Sequence, residues 1–84
     1  MVKNMAGKPP HKEIVVRGDP ALRITTKWHV IGKLLDRLWE IGVDPNQWCK
    51  ENIKPWMWED ENQLDSIINE LAELTNTHVR ITFE

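Results

Sequence analysis

The chain has 84 residues, one cysteine, no tyrosine, one phenylalanine and one serine, and each scarcity removes a class of answer. A lone Cys49 cannot close an internal disulfide, which points to a reducing, cytoplasmic setting rather than secretion. The only serine, Ser66, falls on the polar side of a helical pattern and has no nucleophile motif around it. His11, His29 and His78 are widely separated, and no Cys or His pair has the spacing of a zinc site. The four glycines stand singly, so there is no phosphate-cradling loop. No apolar run approaches the ~18 residues of a membrane span, and the opening "MVKNMAGKPPHKE" lacks the apolar centre of a signal peptide. Neither a metal, nor a cofactor, nor a membrane is expected, and no enzymatic activity. A Cys49–His29 or Cys49–His78 dyad is the one catalytic arrangement conceivable in space. Its bland counterpart is a thiol packed as a small hydrophobe.

What is present is charge, periodic apolar residues and tryptophan. The net charge of −2 is unevenly placed. Residues 1–33 carry +5, from Lys3, Lys8, Lys12, Arg17, Arg23, Lys27 and Lys33 against Glu13 and Asp19, and residues 34–84 carry −7. Residues 1–12 read as a flexible basic tail, and 13–84 as one domain.

The apolar pattern predicts a small α+β domain. "EIVVRGDPALRIT" reads as a β-hairpin, with Ile14 and Val16, then Leu22 and Ile24, alternating around the turn-forming "GDPA". "HVRITFE" alternates again through Val79, Ile81 and Phe83. Three half-buried strands suit one antiparallel sheet. Between them, residues 27–41 repeat at the helical period, with Trp28, Val30, Ile31, Leu34, Leu35, Leu38, Trp39 and Ile41 on a wide apolar arc. Gly42 takes the position of a left-handed C′ residue, and Val43 falls at C″. Asp44, Pro45 and Gln47 start a short second helix that Pro55 stops. Asp60 and Gln63 start a third, with Leu64, Ile67, Ile68, Leu71, Ala72 and Leu74 on one face. The expected order is ββαααβ, with the sheet packed on two main helices and one short one.

Two binding functions follow. The first is a protein-binding module. A core this small cannot easily enclose five tryptophans, each burying roughly 150–250 Å². Trp28 and Trp39 edge the first helix's arc, while Trp56 and Trp58 sit in the connector 55–58, and these four are the candidate partner-binding residues. In an extended connector Trp56 and Trp58 share one side and Met57 takes the other. Either a tryptophan pair is buried, or Met57 is buried and both indoles are offered to a partner. A single tryptophan-rich core is the structural alternative. The wide arc also allows a homodimer.

The second function is nucleic-acid binding. "LLDRLWEIGVDPNQWCKENI" resembles the helix-turn-helix unit of DNA-binding regulators, with Gly42 at the turn glycine, Val43 after it and Trp48 at the packing position. The resemblance spans about twenty residues and implies that Asn46, Gln47, Lys50 and Asn52 lie along a groove-reading helix. It departs from that unit at Leu38, where a small residue is usual, and a plain αα-corner is the preferred reading of the same residues. An antiparallel sheet would also bring Arg17, Arg23 and Arg80 to one outer face, either to grip phosphates or as a solvated surface.

Overall fold

The computed structural model describes residues 12–84. The basic tail expected over 1–12 therefore lies outside the described residues, except for Lys12, which opens the first strand. The chain runs β1 (Lys12–Gly18), α1 (Arg23–Arg37), α2 (Pro45–Asn52), α3 (Glu61–Leu74) and β2 (Thr77–Phe83). Short 3₁₀ turns at Pro20–Leu22, Leu38–Ile41 and Pro55–Met57 precede α1, extend it and precede α3.

The sheet corrects the sequence expectation. Among the described residues it has two strands, not three, and they are parallel, in register from Lys12 opposite Thr77 to Gly18 opposite Phe83. The anticipated hairpin does not form because Asp19 caps a helical turn instead of leading a β-turn. Its carboxylate accepts the Ala21 N–H at 2.9 Å, its carbonyl accepts the Leu22 N–H at 2.8 Å, and Pro20 supplies the preset φ of a first helical position. Ile24 then belongs to a helical stripe with Lys27, Ile31, Leu34 and Leu38, spaced i, i+3, i+7, i+10, i+14. The order is βαααβ, and the two strands are joined by a helical crossover, as a parallel pair requires.

Within that frame the strands alternate as expected. Ile14, Val16, Val79, Ile81 and Phe83 turn inward, while Glu13, Val15, Arg17, His78, Arg80 and Thr82 turn out. Gly18 is needed where β1 meets α1: a Cβ there would lie 2.8 Å from both the Phe83 ring and the Thr26 hydroxyl.

The helix boundaries follow local chemistry. Gly42 has φ 76°, its N–H bonds the Trp39 carbonyl at 3.2 Å, and the Val43 N–H bonds the Leu38 carbonyl at 3.0 Å. That is the paired bonding of a Schellman end. Asp44 caps α2 by accepting the Asn46 N–H at 2.9 Å, and Asp60 caps α3 by accepting those of Asn62 and Gln63 at 3.0 and 3.3 Å. Gln47 does not reach back to complete a capping box but bonds forward to Glu51 at 2.8 Å. After α3, Asn76 takes the left-handed conformation at φ 53°, which turns the chain into β2.

Helices α1 and α3 run side by side in the same direction. Arg23 and Lys27, in the first turns of α1, meet Glu61 and Asp65 in the first turns of α3, and Arg37 at the far end reaches the Thr77 hydroxyl just past α3. Val30, Ile31, Leu34, Leu38, Leu64, Ile67, Ile68 and Leu71 pack between these helices and Ile14 of β1, with Trp48 closing the core from α2. Each such side chain contributes roughly 1.5–3 kcal/mol by leaving water.

Candidate interaction groove

The site begins with a proline. Pro55 disfavours helix at the preceding residue, so α2 ends at Asn52 and Ile53 and Lys54 are extended, with ψ of 119° and 153°. At 1.5 Å per residue, the eight residues of α2 span about 12 Å, against about 22 Å for the fifteen of α1. The short helix cannot cover the long one. What it leaves open is a groove of about 540 Å³ lined by Trp28, Leu35, Cys49, Lys50, Ile53 and Trp58.

Trp58 closes one end of the groove because Trp28 holds it there. The Trp28 indole N–H donates to the Trp58 carbonyl at 3.0 Å, across 30 residues of chain. That bond satisfies the indole's one donor and leaves Trp28 an apolar wall. The connector around Trp58 is a 3₁₀ turn, not an extended strand, so Trp56, Met57 and Trp58 point in three directions rather than two. Met57 packs against the core and its sulfur accepts the Lys54 N–H at 3.5 Å. Trp56 and Trp58 are 65% and 55% exposed, so of the two arrangements posed by the sequence, Met57 is the anchored residue and the indoles face solvent.

The five tryptophans divide unevenly. Trp48 is only 7% exposed and belongs to the core, whereas the exposure of Trp39, Trp56 and Trp58 removes the all-core alternative. Trp28 is half-buried in the groove wall, and Trp39, one helical turn past Leu35, is 62% exposed. A second hollow, of about 420 Å³, adjoins along α1 and shares Trp28, with Gly32 as its floor. A Cβ added to Gly32 would meet nothing within 4 Å, so no internal packing accounts for a glycine at mid-helix.

The residues of the nucleic-acid reading are brought together only in part: Arg17 and Arg80 share the outer sheet face, and Asn46, Gln47 and Lys50 share α2. Arg23 is not on the sheet: it opens α1, binds Glu61 at 2.6 Å and lies over the Phe83 ring at 4.2 Å. Arg17 pairs with Glu84 at 2.8 Å, and Arg80 stands opposite Val15 on the outer sheet face. On α2, Gln47 is bonded to Glu51, the Asn52 amide to the Trp48 carbonyl, and Lys50 lines the groove, while Asn46 remains exposed beside the cap.

One cluster escaped the sequence reading. Lys27 is only 5% exposed, with its ammonium 2.6 Å from both Glu61 and Asp65. Burial opposes its charge, but the two carboxylates win and raise its pKa. The Arg23 and Lys27 hydrogen bonds hold the Glu61 carboxyl at about 2. The signal was available: Lys27 sits one turn before Ile31 on the core stripe, where a lysine needs carboxylates from a neighbouring helix.

Chemistry in the groove is limited. Burial alone pushes the Cys49 thiol up, away from the thiolate a nucleophile needs. Among the described residues no group of three His, Cys, Asp or Glu could hold a metal ion, and no helix is long and apolar enough to cross a membrane. Comparison with protein-family models, with curated proteins and with solved structures finds no match to this chain.

Proposed function

We propose that this chain is a non-catalytic binding protein that takes part of another protein into the groove between α1 and α2. The observation that carries the reading is the Trp28–Trp58 groove, in a domain that also exposes the indoles of Trp39 and Trp56. Trp39, Trp56 and Trp58 together present roughly 400 Å² of solvent-facing indole, about half the surface one partner contributes to a standard interface. Tryptophan is the side chain most enriched at binding hot spots. Duplex DNA is disfavoured, because Arg17, Arg23 and Gln47 are engaged within the fold. A reducing, cytoplasmic setting remains the proposal that goes with a single thiol.

The test is a random-peptide display selection on the immobilised protein. Recovered binders should lose affinity at least tenfold on Trp58→Ala while the circular dichroism of the variant is unchanged. Binders that hold equally well to Trp58→Ala, Trp39→Ala and Trp56→Ala place recognition elsewhere and overturn the reading.

A further inference from the structure

The groove's lining contains one charged residue. Five of its six members are Trp28, Leu35, Cys49, Ile53 and Trp58, and the sixth is Lys50, exposed at the rim. The cations elsewhere on β1 and α1 are largely committed: Lys12 to Glu40, Arg17 to Glu84, Arg23 to Glu61, and Lys27 to Glu61 and Asp65. Lys50 makes no carboxylate pair among the described residues. Lys54, one turn on, donates to the Lys50 carbonyl at 3.2 Å and adds a second positive charge at the C-terminal end of α2. An apolar trough with one uncommitted ammonium at its lip is complementary to an apolar group with one anionic group beside it.

We infer that the occupant is a helical peptide segment of a partner protein, carrying an apolar stripe that fills the space between Trp28 and Trp58 and a single carboxylate that meets Lys50. This inference rests on the groove reading and names its ligand. A peptide segment is favoured over a small amphipathic anion because the α1 stripe that lines the groove at Trp28 and Leu35 runs on at helical spacing to Trp39, which is 62% exposed. It is favoured over nucleic acid because the residues from Lys12 onward carry nine basic side chains against thirteen acidic ones, a poor field for a polyanion. The same field argues for one carboxylate rather than an acidic run. The open notch at Gly32, next to Trp28, gives the segment's backbone a place to approach α1 closely.

The experiment uses the full chain and two synthetic peptides of about 16 residues, each with Leu or Phe at i, i+3, i+4 and i+7. One carries a single Glu beside the stripe, and the other has Lys in its place. Affinity is read by titration, and occupancy by protection of Cys49 from iodoacetamide, since that thiol is in the groove wall. The Glu peptide should bind about fivefold more tightly than the Lys peptide, protect Cys49, and lose its advantage on Lys50→Glu, which should favour the Lys peptide instead. Equal binding of both peptides with Cys49 protected overturns the carboxylate and leaves the groove reading standing. If neither peptide protects Cys49 while display-selected binders still depend on Trp58, the helical-segment inference fails alone. No protection here and no Trp58-dependent binder there removes both. Protection of Cys49 by laurate, by a single-stranded oligonucleotide or by raising the protein's own concentration, in place of the Glu peptide, assigns the groove to that occupant and overturns the peptide.

Discussion

Lys27, Ile31, Leu34 and Leu38 form one stripe of the first helix and its 3₁₀ extension, and Trp28, Gly32, Leu35 and Trp39 form the next, each one position further along. The first stripe is buried throughout and packs into the core, while the second is half-buried or exposed throughout. The two are about equally apolar, so composition does not separate them. Their neighbours do. The first stripe meets α3, which is nearly as long as α1 and supplies both aliphatic side chains and the Glu61 and Asp65 carboxylates. The second meets α2, which is half the length of α1 and stops where Pro55 requires. An apolar helix face becomes core or open surface according to whether its neighbour is long enough to cover it.

The largest expected effect breaks the comparison at its strongest point. Leu34 is fully buried, and Leu34→Ala should cost about 2–5 kcal/mol, a large fraction of the stability of a domain of this size. Trp39→Ala removes a larger side chain from the second stripe and should stay within about 0.5 kcal/mol. Urea titration of the two variants decides it. Comparable losses would mean that the second stripe is structural and the groove merely a loosely packed part of the core.

A smaller effect sharpens the electrostatic side. Glu61 has its folded-state pKa depressed to about 2, so it contributes stability that is present above the ordinary carboxylate range. That contribution is lost as pH falls through the depressed value. Wild-type urea midpoints should therefore decline between about pH 4.5 and pH 2, and Glu61→Gln should decline less steeply over that window. The raised pKa of Lys27 works in the opposite sense: its contribution is present throughout the neutral range and is lost only as pH rises past the ordinary lysine value. The second stripe carries no comparable ion cluster, so Trp39→Ala should leave the acid slope unchanged.

The sequence made the two stripes partly legible. Every helix could be read, and so could the glycine-turned end at Gly42 and the aspartate caps at Asp44 and Asp60, because each rests on contacts within five residues. The sheet could not, because Ile14 and Val79 pair across 65 positions and no local pattern distinguishes parallel from antiparallel partners. The instructive miss is Asp19–Pro20. The same dipeptide recurs at Asp44–Pro45 and was legible there as a helix start, since Gln47 completes a D-x-x-Q pattern that Asp19 lacks. At Asp19 the alternation of Leu22 with Ile24 suggested a strand, although Ile24 also continues the stripe of Lys27 and Ile31. Two alternating residues are weaker evidence than a five-member helical stripe with a capped start. The exposed tryptophans were legible as candidates only, because exposure depends on the short reach of α2.

The smallest effect is also the most discriminating. Gly32 and Gly42 are both glycines whose added Cβ would meet nothing within 4 Å, yet they call for opposite outcomes. Gly42 holds φ at 76°, where any Cβ is strained, so Gly42→Ala should destabilise by about 1 kcal/mol. Gly32 lies in ordinary helix, where glycine costs about 0.5–1 kcal/mol relative to alanine. Gly32→Ala should therefore raise the urea midpoint by a corresponding amount. Such a glycine in the middle of the longest helix, on the stripe that is not buried, gives up stability at a place where the proposed partner would use the space. If Gly32→Ala instead destabilises the fold, the notch is filled from within and the second stripe is less open than the first is closed. If it stabilises the fold and weakens binding of the Glu-bearing peptide, the glycine is there for the partner.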